Sequence, residues 1–333
     1  MKDERLYEMN GEAEEWFRSQ MKGPYLDYMR GRGIDDGILR TFGIGASGTD
    51  RDAFVEFMRK KGFTEDELKE GTLLTDGGTL FFSDRIMFPI TSEKGIVGFS
   101  GRLTTKTKEM KYKNTPENQI FQKRRTLYNF ENAKRTGSET VIICEGQMDA
   151  IAMTRAGHPS VISLMGTKLT EEHLDMLRSR MNTAVICLDG DQAGQLNARK
   201  VGEHLQKNGF VVRNVLLPEG KDPDELMREG REALDGAMKL KTLTEAQTDR
   251  IAESYRKMPV TDGANAVFYD HSLDIAYDAI AYMREFSTKS TAARDAAYIS
   301  SVTGFSREAV TMELRREEEK EKTGRSMSHK ARA

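Results

Sequence analysis

Cysteine is scarce in this 333-residue chain: there are two, Cys144 and Cys187, each inside an apolar run. Two isolated thiols at strand-like positions cannot make a four-ligand zinc site. Buried thiols in a reducing compartment are expected instead. The five histidines (His158, His173, His204, His271, His329) show no metal-ligand spacing. His173 and His204 lie in charged helical stretches and read as surface residues. No run of about 18 apolar residues occurs, so no membrane span is expected. The opening MKDERLYEMN has no apolar stretch after a basic one, which excludes a secretory signal and makes a cytoplasmic location the expectation. There is no internal repeat and no long low-complexity linker. The formal net charge is only −2, so global charge announces no polyanionic partner.

Hydrophobic residues make up 38% and charged residues 31%, as in a globular protein, and the length suffices for two or three packed units. The charge is uneven. From Arg102 to Arg135 there are ten Lys or Arg (Arg102, Lys106, Lys108, Lys111, Lys113, Lys123, Arg124, Arg125, Lys134, Arg135) against three acids (Glu109, Glu117, Glu131), a balance of +7. Such a run is usually a solvated face. Here Asn114, Asn118, Tyr112 and Tyr128 lie among the cations, the mixture of point charges, amides and rings that nucleic acid needs.

Residues 1 to about 22 and the glycine-punctuated stretches after them read as helical. TLFFSDRIMFPITSEKGIVGFSGR reads as strands about a turn at Gly95. From about 139 short apolar strands alternate with helices: ETVIICEG, MDAIAMTRAG, PSVISLMG, TEEHLDMLRSR with Thr170 as N-cap, TAVICLDGD, AGQLNARKVGEHLQKNG, FVVRNVLLPEG and DPDELMREG. That alternation predicts an α/β domain with a parallel sheet. After 233 no convincing strand remains and the segments read as a helical bundle. The expected divisions are a basic α+β part at 1–136, the parallel-sheet domain at 137–232, helices at 233–320 and a charged, frayed tail at 321–333.

In open parallel sheets, sites form beyond the carboxyl ends of the strands. Glu145 closes the first strand of this domain, with Asp149 one helical turn on. Asp189 and Asp191 close the third, and Asp222 and Asp224 follow the fourth. Any one could merely cap a helix. Together they point to hard divalent cations, because close carboxylates repel unless a cation sits between them. Gly146 and Gly190 lack a Cβ, so a phosphate or metal can come close.

CEGQMDAIAM followed by LDGDQAGQLNARK resembles the TOPRIM domain of primases and topoisomerases. YLDYMRGRGIDDGILRTFGIG, RIMFPITSEKGIVGFSGR, KYKNTPENQIFQKRRTLYNFENA, SLMGTKLTEEHLDML and EGKDPDELMREG narrow the resemblance to the catalytic core of bacterial DnaG-type primases, over roughly residues 5 to 320. The resemblance implies DNA-templated RNA primer synthesis on single-stranded DNA from NTPs. It implies that Glu145, Asp189, Asp191, Asp222 and Asp224 hold Mg²⁺ or Mn²⁺, more than one ion, with Glu145, Asp189 and Asp191 central to catalysis and Asp149 close by. It assigns Arg102, Lys111, Lys113, Asn114 and Lys123 to template and nucleotides, and Arg85 to the arginine before the MFPI motif. A direct role for Arg85 ranks lower, because it could simply pair with an acid. Family members usually begin with a zinc-binding domain and end with a helicase-binding domain. Neither is in this sequence, so no zinc is expected, and a replicative helicase and a separate zinc module are expected partners. Gln147 departs from the family, which usually has an aromatic there. The alternatives are a TOPRIM-type nuclease and a non-catalytic, primase-derived replisome-binding module.

Overall fold

The computed structural model describes residues 2–105, 110–166, 168–258 and 271–316. Lys106, Lys108 and Glu109 of the basic run, and the charged tail, lie outside the described residues.

The chain opens with helix α1 (Asp3–Ser19), then α2 (Pro24–Gly31) and α3 (Asp36–Thr41), the two-residue strand β1 (Gly45–Ala46), α4 (Arg51–Lys60) and α5 (Glu65–Glu70). Helices α3, α4 and α5 each start at a side-chain cap: Asp35 accepts from Ile38 N–H, Asp50 from Ala53 N–H, and Thr64 forms a reciprocal box with Glu67. Strands β2 (Arg85–Ser92) and β3 (Gly95–Leu103) form the expected antiparallel hairpin, pairing Ser92 with Gly95, and β4 (Tyr112–Asn114) adds to β3. A 3₁₀ turn at Lys123–Arg125 and helix α6 (Phe130–Arg135) follow.

The alternating part then runs β5 (Thr140–Cys144), α7 (Gln147–Arg155), β6 (Val161–Ser163), α8 (Glu171–Arg178), β7 (Thr183–Ile186), α9 (Gln192–Lys207), β8 (Val211–Val215), α10 (Pro223–Glu229) and α11 (Arg231–Ala237). Strand β9 (Leu240–Lys241) and helices α12 (Leu243–Arg256), α13 (Ser272–Phe286) and α14 (Ala292–Thr303) complete the named elements, and residues 307–316 are helical. Strands β5 and β7 are apolar and β-branched, and buried, as parallel strands are.

The chain divides into two compact units, residues 1–182 with 219–236, and 183–218 with 237 onward. In the first, the antiparallel sheet β1-β2-β3-β4 is covered by α1, whose Leu6, Met9, Ala13 and Phe17 join Phe54, Met58, Leu68, Met87 and Phe99 in one core. The same unit holds the parallel pair β5–β6, with Ile142 opposite Val161 and Cys144 opposite Ser163. In the second, β7 and β8 are parallel and β9 runs antiparallel to β8. Strand β9 corrects the expectation that no strand follows residue 233. Two residues carry no period of their own, and only pairing with Asn214 and Val215 defines them. Helices α13 and α14 bury Ala279, Ile280, Met283, Ala296 and Ile299 together with Val310.

Both cysteines are buried and neither forms a disulfide, as expected. His173 is a correction: it is fully buried, not superficial. Its Nδ1 accepts from Thr170 N–H at 3.3 Å, so Nε2 carries the proton and donates to the Lys123 carbonyl at 2.9 Å. Burial pushes its pKa down and keeps it neutral. His204 is partly covered. Among the described residues, no helix is long and apolar enough to cross a membrane.

Candidate active site

Glu145 and Asp189 follow strand ends, Asp191 and Asp222 cap the next helix, Asp149 and Asp224 lie in its first turn, and most already have local work. In the first unit, Glu145 is the residue after β5, and its backbone carbonyl accepts from Ser163 Oγ at 2.9 Å. Asp149, in the first turn of α7, is buried and accepts from Gly146 N–H at 2.9 Å. Helix α10 packs along α7. Asp222 caps α10 by accepting from Glu225 N–H at 2.6 Å.

Asp224 is 3% exposed, and its Oδ2 is bound by the guanidinium of Arg32 and lies 3.4 Å from Nε of Arg228. Its Oδ1 is buried with no hydrogen-bond partner among the described residues. Burial pushes the Asp224 carboxyl above its ordinary range; Arg32 and Arg228 pull it back and Asp222 adds to the rise. Arg32 sits at the α2–α3 turn, where its carbonyl accepts from Arg155 Nη1 at 3.0 Å and its guanidinium lies 4.9 Å over the Tyr28 ring. Sequence reading missed Arg32 and Arg228. Arg228 at least follows Asp224 by one helical turn, a spacing that signals a pair. Arg32 is 192 residues away and gave no signal.

In the second unit, Asp189 and Asp191 bracket a turn after β7. Asp191 is exposed and caps α9 by accepting from Gly194 N–H at 2.7 Å. The space a Cβ would take at Gly190 is filled by the Pro218 carbonyl oxygen, 2.0 Å away, and at Gly146 by the Asp149 carboxylate at 2.9 Å. Both glycines serve close packing of the protein on itself, which corrects the expectation of room for a phosphate or metal.

The basic residues divide by exposure. Arg102 is 6% exposed, donates to the Tyr112 hydroxyl at 2.7 Å and lies over that ring. Arg85 is buried and donates to the carbonyls of Gly101 and Met110 at 3.1 and 3.2 Å, so it ties the hairpin to the next loop. Lys113 donates to the Phe81 carbonyl at 2.8 Å with its ammonium 3.7 Å over the Phe81 ring. Asn114 is half-buried and its Oδ1 has no hydrogen-bond partner among the described residues. Lys123 is half-buried, its turn anchored by His173. Lys111, Arg124 and Arg125 are exposed.

Carboxylate oxygens suit Mg²⁺ or Mn²⁺ chemically, and the open Asp224 Oδ1 is a donor of that kind. Yet among the described residues no three His, Cys, Asp or Glu side chains come together to hold an ion. Asp149, Asp191 and Asp222 spend an oxygen on backbone N–H groups, and Asp224 spends one on arginines.

Two family models match the chain. One, described as the DNA primase catalytic core, N-terminal domain, covers residues 14–134. The other, described as Toprim-like, covers residues 142–227. The DNA primase of Clostridium acetobutylicum is 36% identical over 244 residues, 70% of this chain and 40% of that protein. The chain carries a DNA primase catalytic core. A DNA primase domain from Pseudomonas aeruginosa, known from its crystal structure, is 28% identical, covers 93% of this chain and 99% of its own, and superposes with a TM-score of 0.67. A DnaG primase catalytic domain solved bound to ssDNA is 25% identical, covers 91% and 97%, and gives 0.68. The core spans well under half the length of the curated primase from C. acetobutylicum.

Proposed function

We propose that this chain synthesises short RNA primers on single-stranded DNA from nucleoside triphosphates, using divalent metal. The reading is carried by the presence of both matched segments in one chain. A Toprim-like segment alone would suit a nuclease equally; the primase-type segment before it does not. The ssDNA held by the related DnaG domain supports the choice of template.

Glu145, Asp189, Asp191, Asp222 and Asp224 would hold Mg²⁺ or Mn²⁺, more than one ion. Mg²⁺ keeps several waters and takes one or two carboxylates plus substrate phosphates, so a three-residue protein cage is not required. When bound, such ions acidify the attacking 3′-hydroxyl and neutralise the leaving pyrophosphate. The remaining work is positioning, and no covalent intermediate on the protein is needed. Tyr112 holds the Arg102 guanidinium by a hydrogen bond. The Phe81 carbonyl and ring fix the Lys113 head. His173 anchors the backbone of Lys123. Exposed Lys111 supplies a charge for phosphate. A replicative helicase and a zinc module on another chain or segment are the proposed partners, and the cytoplasm the proposed location.

Incubation with single-stranded DNA, NTPs and Mn²⁺ will yield oligomers only when all three are present; the absence of product from the complete mixture would refute the reading. Binding to single-stranded DNA will weaken steeply with salt, and Lys111→Ala will reduce the slope of log K against log salt by about 0.7, one phosphate contact. A titration with no salt slope would contradict the role of these cations.

A further inference from the structure

The turn that carries Asp189 is held from behind, within the second unit, by side chains for which primer synthesis has no direct use. Gln195, in the first turn of α9, donates its Nε2–H to the backbone carbonyl of Asp189 at 2.9 Å. Its Oε1 accepts from Arg250 Nη2 at 3.3 Å. Only one amide orientation serves both contacts, because the carbonyl needs a donor and the guanidinium an acceptor. Arg250 comes from α12. Its Nε and Nη1 are buried and have no hydrogen-bond partner among the described residues. Around it stand the Arg199–Glu203 ion pair at 2.6 Å, Asp249 and the Tyr282 ring. Burial lowers its pKa to about 10, so it stays charged at neutral pH.

Burying guanidinium N–H groups without acceptors is unfavourable, and an unbranched apolar side chain would occupy the same path at less cost. A charge kept on those terms calls for a reason other than stability. We propose that Arg250 is a positioning residue that orients Gln195, which in turn fixes the main chain of Asp189 and hence the direction of its carboxylate. Helix α12 packs on α13 and α14, so the relay ties the acidic turn to the C-terminal helices. The inference rests on the reading of Asp189 as a metal-holding residue.

The test compares Arg250→Met, Gln195→Ala and the double variant with the full chain. Thermal unfolding, half-saturating Mn²⁺ in primer synthesis and Mn²⁺ affinity by calorimetry are measured for each. Arg250→Met will melt at or above the wild-type temperature, while its half-saturating Mn²⁺ rises about tenfold, the low end for loss of an outer-shell partner. Gln195→Ala will shift Mn²⁺ affinity similarly, and the double variant no more than the larger single, because both act through one chain of contacts. An Arg250→Met variant that melts lower and keeps wild-type Mn²⁺ affinity would show a merely structural arginine and overturn the relay. Mn²⁺ shifts that multiply in the double variant would overturn it too. A wild-type chain that makes no primers would sink the primer-synthesis reading instead, and calorimetry would still decide the relay.

Discussion

Asp189→Asn will bring primer synthesis to background and leave binding to single-stranded DNA nearly intact. The substitution keeps the shape and one oxygen but removes the charge. The turn should survive it, because Gln195 holds Asp189 by its backbone carbonyl, not its side chain. Metal ions contribute several kcal/mol of charge stabilisation in phosphoryl chemistry. Losing about 3 kcal/mol of that costs roughly a hundredfold in rate, at 1.36 kcal/mol per decade. DNA binding depends on cations elsewhere in the chain, so its affinity should move little. Primer yield and DNA affinity measured on the same preparation check this; wild-type synthesis by the variant would remove Asp189 from the chemistry.

Arg32→Ala will destabilise the fold by roughly 3 kcal/mol at neutral pH, the lower end for removing one partner of a buried ion pair. The lower end applies because Arg228 stays 3.4 Å from the same oxygen and the Arg32 side chain is 18% exposed. The pH dependence has a definite sign. Burial already holds the Asp224 pKa above its ordinary 3.8. A carboxyl with a raised folded-state pKa favours the fold when protonated, fully so below its unfolded value, and loses that contribution as pH rises through the folded value. Without Arg32 the folded value climbs further. The deficit of the variant is therefore largest at neutral and alkaline pH and shrinks on acidification. Urea unfolding of both proteins at about pH 7.5 and about pH 4.5 measures it. A deficit that failed to shrink on acidification would mean that Asp224 is stabilised as a carboxylate by groups other than Arg32.

The parts legible in the sequence were those written in local pattern. Alternating apolar strands and amphipathic helices gave β5 to α10 within a few residues, and Thr170 announced the start of α8. The hairpin turn at Gly95 followed from the two β-rich runs beside it. Positions of the acids past strand ends were likewise legible. What each acid binds was not, because Arg32 reaches Asp224 across 192 residues and leaves no mark in either neighbourhood. The burial of His173 was hidden for the same reason: its flanking Glu171, Glu172 and Asp175 look solvated, while the decisive partner is the Lys123 carbonyl. Arg102 read as one more cation in a basic run, yet Tyr112, ten residues on, buries it against the β3–β4 pair. Gly190 read as room for a ligand, and only the position of Pro218 shows that the room is taken.

The central claim is that the carboxylates of this chain serve polymerisation of ribonucleotides, and the chemical nature of its product tests that most directly. With unlabelled single-stranded DNA, labelled NTPs and Mg²⁺ or Mn²⁺, the chain should release short labelled oligomers that alkali degrades to mononucleotides, since only RNA carries the 2′-hydroxyl that alkali exploits. No ribonucleotide incorporated, and, in a parallel reaction with the label moved to the template, DNA cut into alkali-stable fragments, would contradict the account and make these acids those of a nuclease.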